Sequence, residues 1–182
     1  LSGYGIRHSG DNNTTIVSGS IATSEMSGYG IYNNGNKNTT IMSGTFTASG
    51  NRDSANYGIY NSGDENITTM SGSISTVGSS SYGIRNYGDS NTTTMSGSIT
   101  TTGSNADGIF NEGASNTVTI SGTVSATGTG ASALRNEGGS GNTFILDEGA
   151  TIIGAITAEP LDSLVTNNKL TLNLGQASSY AY

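Results

Sequence analysis

The sequence predicts an all-β fold, a right-handed parallel β-helix (β-solenoid) with about 25 residues per coil and about seven coils. Three observations predict it. A block beginning Tyr-Gly-Ile recurs at Tyr4, Tyr29, Tyr57 and Tyr82, then degenerates to Asp107-Gly108-Ile109 and Ser132-Ala133-Leu134, with starts 25, 28, 25, 25 and 25 residues apart. Within each block, β-branched and apolar residues alternate with polar ones in runs too short for helices. Between the runs, Gly and Asn return at fixed places, as tight turns require.

The blocks align to a consensus near Y-G-I-x-N-x-G-x-x-N-T-T-x-M-S-G-S-I-x-T-x-G, which predicts two or three strands per coil. In the second run Val17, Met42, Met70, Met95, Ile120 and Leu146 share a column, and Thr15, Thr40, Thr68, Thr93, Val118 and Phe144 sit two residues earlier on the same face. That face is expected to point inward. Ile21, Phe46, Ile74, Ile99 and Val124 give a further inward column, and Ile6, Ile31, Ile59, Ile84, Ile109 and Leu134 supply one from the first run. The Tyr column (Tyr4, Tyr29, Tyr57, Tyr82) shares the parity of the Ile column, but Asp107 and Ser132 replace it later, so it is expected half-exposed at a corner.

Two Asn columns mark the turns. One is Asn33, Asn61, Asn86, Asn111 and Asn136, with His8 in the first block; the other is Asn13, Asn38, Asn66, Asn91, Asn116 and Asn142. Stacked amides hydrogen-bond along a solenoid, and Asn tolerates a left-handed corner. The column Gly10, Gly35, Gly63, Gly88, Gly113 and Gly138 is expected at positive φ. Regular coils are therefore expected over 1–142. The stretch 143–182 reads as irregular terminal coils or a cap, with Leu170, Leu172 and Leu174 inward and a continuation into a downstream region.

Composition narrows the function classes. Six Lys and Arg against 13 Asp and Glu give a net charge of −7, without the basic footprint that holds a phosphate backbone, so no nucleic-acid partner is expected. The absence of Cys removes disulfide frameworks and Cys-based zinc sites. No run approaches the roughly 20 apolar residues of a membrane span. The chain opens at Leu1 within a repeat, as expected of a fragment of something longer.

With its columns laid out, the chain resembles the repeat-rich passenger region of autotransporter-type bacterial surface proteins, and more broadly bacterial parallel β-helix adhesins. The residues that carry the resemblance are the Gly-Ile-x-Asn-x-Gly blocks, the unit Asn-Thr-Val-Thr-Ile-Ser-Gly-Thr-Val at 116–124, and Asn168-Lys169-Leu170-Thr171-Leu172-Asn173-Leu174-Gly175 followed by Ser178-Ser179-Tyr180-Ala181-Tyr182. It implies an extracellular or cell-surface location, a rod displayed on the cell, and a structural or adhesive role without catalysis. It transfers no catalytic residue.

The candidate interaction site follows from the column after the first-run Ile or Leu: Arg7, Tyr32, Tyr60, Arg85, Phe110 and Arg135. With Ile inward this column points out, as a ladder of guanidinium groups beside aromatic rings. Such a stripe fits host or neighbouring cell-surface glycans or proteins; it equally fits lateral packing of the solenoid, and the sequence leaves both open. Open solenoid ends further suggest end-to-end self-association into a filament or surface layer. Outward Thr pairs such as Thr92 with Thr94 and Thr117 with Thr119 fit an ice-binding array or ordinary β-propensity, and Ile16, Ile41 and Ile67 interrupt them.

No cofactor or metal set is expected. Asp11, Asp64 and Asp89 share a turn column whose other members are Asn36, Ala114 and Gly139, which reads as turn chemistry rather than calcium binding. The remaining acidic residues are scattered over turns, and His8 has no acid or nucleophile partner, so no enzyme activity is expected.

Overall fold

The computed structural model describes residues 3–24, 28–49, 56–159, 166–173 and 175. These residues form a parallel β-solenoid of three sheets without any helix, with three strands per coil. The first coil shows the plan: Tyr4–Ser9 starts the first sheet, Thr14–Val17 the second and Ser20–Thr23 the third. The first and second sheets have seven strands each and the third has six, so six turns are complete and a seventh has begun. Every described strand pairs in parallel with its counterparts one coil away, as repeats in register require.

The inward columns form one continuous core. Ile31, Ile59, Ile84 and Ile109 from the first sheet meet Met42, Met70, Met95 and Ile120 from the second and Phe46, Ile74, Ile99 and Val124 from the third, all at most 2% exposed. Parallel stacking places each side chain between its equivalents above and below, so a thin core buries its members on every side. Thr15, Thr40, Thr68 and Thr93 are buried in it as well, with Val118 and Phe144 continuing their column.

Buried Asn columns hold the coils in register by two different devices. The first is side chain to side chain: the amide of Asn33 donates to Asn61 at 2.8 Å, Asn61 to Asn86 at 2.8 Å, Asn86 to Asn111 at 2.9 Å and Asn111 to Asn136 at 2.9 Å. Its members also donate to the threonine column, Asn33 to Thr40 at 3.0 Å and Asn61 to Thr68 at 3.2 Å. His8 stands at the head of this column, where its ring bonds Thr15 and Asn33 Oδ1 is left buried without a partner. In the second column each side-chain oxygen instead accepts the backbone N–H of the Asn one coil back, at 2.8–2.9 Å from Asn13 through Asn168.

These Asn columns do not supply the left-handed corner, and the glycine column is split: Gly10, Gly35 and Gly138 have the expected positive φ, at 146°, 158° and 77°, and the other three do not. The left-handed residues are Asn12, Lys37, Glu65, Ser90 and Ser115, at φ between 56° and 59°, with Gly141 at 75° in the sixth coil. Gly63, Gly88 and Gly113 are not among the positive-φ residues. They are glycine because a Cβ on Gly63 or Gly88 would lie 2.3 Å from the carbonyl oxygen of the preceding coil's Gly. Close backbone approach, rather than φ, selects glycine there.

Strands of the 143–182 stretch continue the sheets: Thr143–Leu146 pairs with Thr117–Ile120, and Lys169–Leu172 pairs with Thr143–Leu146. Leu170 and Leu172 stack on the inward residues Phe144 and Leu146, yet both remain 46% exposed. Leu174 lies outside the described residues.

Candidate interaction face

The outer face of the first sheet is built by a break in strand alternation. At the Tyr-Gly-Ile start, Gly and Ile both face the core: a Cβ on Gly58 would lie 2.6 Å from Ile74 Cγ2 and one on Gly83 2.3 Å from Ile99 Cγ2. Two consecutive inward residues break the alternation, which reverses the parity of the residue before them while the coils stay in register. The Tyr column is therefore not on the Ile side, as strict alternation had suggested, but on the outer face beside the Arg and aromatic column. In the sixth coil, where Ala133 takes the glycine's place, the ladder register shifts between Ser132 and Leu134.

Pairing across coils runs Arg7↔Tyr32, Tyr32↔Tyr60, Tyr60↔Arg85, Arg85↔Phe110 and Phe110↔Arg135, so all six ladder residues form one stacked column. The Tyr column packs alongside. Ring centroids of Tyr32 and Tyr60 are 5.1 Å apart, Tyr29 and Tyr32 5.4 Å, and Tyr57 and Tyr82 5.2 Å, all stacked. Arg7 lies over Tyr4 and Tyr32, Arg135 over Phe110, and Arg85 over five rings, those of Tyr57, Tyr60, Tyr82, Tyr87 and Phe110, at 5.2–5.9 Å. Such cation–π contacts are worth more as they lose water.

The column points outward, but its members pack against one another and against the Tyr column. Arg7 is exposed, but Tyr32, Tyr60, Arg85 and Arg135 are half-buried and Phe110 is buried at 5% exposure. Large side chains in neighbouring columns cover one another's faces, so the surface presents ring edges and guanidinium flanks rather than open ring faces.

Carboxylates hold the guanidinium groups in place. Arg85 binds Oε2 of Glu112 through two nitrogens and donates to the Tyr57 hydroxyl at 3.2 Å. Arg135 pairs with Glu137 at 2.5 Å and lies 3.7 Å from Asp107. Asp107, in the Tyr column, is fully buried and accepts the Ser132 backbone N–H at 2.7 Å. An acid at that position is thus tolerated through a backbone donor and a nearby cation, not through exposure. Burial lowers the Arg85 pKa, but the hydrogen bond to Glu112 and the adjacent Tyr57 more than offset it, so the pKa ends raised. Burial, with the neighbouring tyrosines, pushes Tyr29 up to about 12; burial and the Asp107 carboxylate do the same for Tyr82.

Residues that sequence reading did not assign to this face are the Tyr column itself, Tyr87, and the acids Glu112, Glu137 and Asp107. The glycine that recurs between Tyr and Ile carries the signal for the first. Glu112 and Glu137 sit two residues after Phe110 and Arg135, on the same side of an alternating strand.

The other candidates sort differently. On the second sheet Thr92 and Thr94 are exposed and in register with Thr117 and Thr119, and Ile16, Ile41 and Ile67 are 71%, 40% and 48% exposed in the same two columns. In the acidic turn column, Asp11, Asn36, Asp64 and Asp89 each accept the backbone N–H of the next coil, at 2.7–2.8 Å. Among the described residues no group of three His, Cys, Asp or Glu converges as a metal site. No helix there is long and apolar enough to cross a membrane. No protein-family model, no curated protein and no solved structure matches this chain.

Proposed function

We propose that this solenoid is the non-catalytic adhesive passenger or stalk segment of a bacterial surface protein, displayed outside the cell, with the first-sheet outer face as its contact surface. One observation carries this reading: aromatic and Arg side chains are concentrated, in register, on one of three sheets, while the other faces display Thr, Ser and isolated Ile. A stiff rod that repeats weak contacts at the coil spacing gains from linkage rather than from any single contact. The Asp11, Asp64 and Asp89 carboxylates, which accept backbone N–H groups, serve the fold, which supports a non-catalytic reading. Protease shaving of intact source cells tests the location. Repeat peptides released from whole cells, with a protected anchor remnant left behind, are the expected result, and repeats recovered only after lysis overturn it.

A second reading, end-to-end self-assembly into a filament, draws on the exposed Ile153, Ile156, Leu170 and Leu172, all 41–48% exposed. These apolar groups lie in the last two coils, where strand edges pair readily with a second copy. Sedimentation that shifts to longer species with concentration supports it.

A further inference from the structure

At the corner between the first and second sheets the regular stacking fails once. The acidic turn column passes one backbone N–H bond per coil from Asp11 to Asp89, but the next member is Ala114, which has no side chain to continue it. One coil on, an extra residue enters. The Asn111–Asn136 spacing is 25, whereas the Asn116–Asn142 spacing is 26. Gly139, whose Cβ would lie 2.0 Å from Gly113 O, occupies the corner-glycine position, and Gly138 at φ 77° is the insertion. Ser140 then resumes the column, accepting the Thr166 N–H on its hydroxyl at 3.0 Å.

The missing side chain and the inserted glycine together open a notch of about 470 Å³ lined by Tyr87, Asp89, Glu112, Gly113, Ala114 and Gly138 to Ser140. Its walls carry recognition chemistry. Tyr87 is 50% exposed, the most exposed tyrosine of the face, and is fixed by Arg85 5.2 Å from its ring centroid. Both Arg85 bonds to Glu112 fall on Oε2, which leaves Oε1 as an acceptor without a partner among the described residues. Asp89 likewise spends Oδ1 on the Ala114 N–H and keeps Oδ2.

We infer that this notch is a subsite for a neutral sugar residue of a glycan. Its C–H face packs on Tyr87, and its hydroxyls donate to Glu112 Oε1 and Asp89 Oδ2. Carboxylates held as oriented acceptors suit hydroxyl donors, and the side-chain-free floor admits a ring close to backbone. Acidic sugars are repelled by the same carboxylates. A cation gains less, because Arg85 already neutralises Glu112. The inference rests on the adhesive reading and narrows it to one place.

The test is amide NMR titration of the full chain with neutral and sialylated oligosaccharides at about 10 mM, a range suited to weak single sites. Ala114→Asn refills the notch, as Asn36 already shows an amide can in this column, and Tyr87→Ala removes the platform; Thr94→Val on the second sheet is the control. The expected result is shifts confined to Tyr87, Gly113, Ala114 and Ser140 with a neutral glycan. Binding should weaken about tenfold in both notch variants, about 1.4 kcal/mol, and stay unchanged in Thr94→Val. No shift with any neutral glycan, a response to sialylated glycans alone, or binding indifferent to Ala114→Asn overturns the subsite. Shifts that instead map to Arg7 and Tyr32 overturn it while leaving the adhesive reading standing.

Discussion

The first and second sheets have the same number of strands, yet their outer faces differ in kind. On the second sheet alternation is strict, so outward columns stand two residues apart and hold Thr or Ile that are exposed or half-buried. On the first, the inward Gly-Ile pair brings a Tyr column and an Arg and aromatic column onto one side, three residues apart, where they interlock. A single break in alternation per coil thus converts a plain strand surface into a pre-organised one, and pre-organisation lowers the ordering cost of binding.

The most severe way to break this contrast is to fill the space of the inward glycine. Gly83→Val places a side chain where Gly108 O lies 2.5 Å and Ile99 Cγ2 2.3 Å from its Cβ, and should cost more than about 3 kcal/mol, read as a loss of cooperative melting or a much lower midpoint. Asn86→Ala cuts the inner ladder in mid-column, taking away the partner of Asn61 and that of Asn111, and should cost about 2–3 kcal/mol in urea unfolding.

Arg85→Ala unlocks the outer face alone. It strips five rings of their cation and leaves Glu112 unpaired, for an expected loss of about 1–2 kcal/mol and a marked change in tyrosine near-UV dichroism. A matching Thr94→Val change on the second sheet should stay within about 0.5 kcal/mol.

Two smaller effects sharpen the comparison. Tyr29 and Tyr82 have pKa values raised to about 12 against a usual 10.0, so the folded state holds their protons more tightly than the unfolded one. The stability they contribute is whole below pH 10 and lost as pH rises from there to about 12, on the order of 1 kcal/mol each once solvent screening is discounted. An alkaline unfolding series checks this. His8→Asn should add about 0.5–1 kcal/mol by giving the partnerless Asn33 Oδ1 a donor, seen as a raised melting temperature.

Much of the solenoid was legible because its columns repeat. Val17 through Leu146, Ile6 through Leu134, and both Asn columns sit where alternation put them. What alternation missed was every place where two residues share a face or one is added. Tyr-Gly-Ile was read as alternating, which gave Tyr the parity of Ile and placed it half-exposed at a corner rather than on the outer face beside Arg85 and Tyr60. Positive φ was assigned to the whole glycine column but holds only for Gly10, Gly35 and Gly138, and the left-handed residues Asn12, Lys37, Glu65, Ser90 and Ser115 have no common chemistry to announce them. The Gly138 insertion was legible as a six-residue step from Asn136 to Asn142 where Asn33 to Asn38 takes five, but reading Gly139 as the partner of Ala114 hid it. The ladder's six members were legible as a column; their burial was not, because it depends on the Tyr column beside them.

The most direct measurement is attachment of beads coated with the folded protein to a panel of bacterial and animal cells, comparing an Arg85→Ala/Tyr60→Ala pair with a Thr94→Val/Thr119→Val pair. Attachment lost with the first-sheet pair and kept with the second-sheet pair is the predicted result. Attachment that survives the first-sheet pair, or that fails only when the threonines change, contradicts the first sheet as the contact surface.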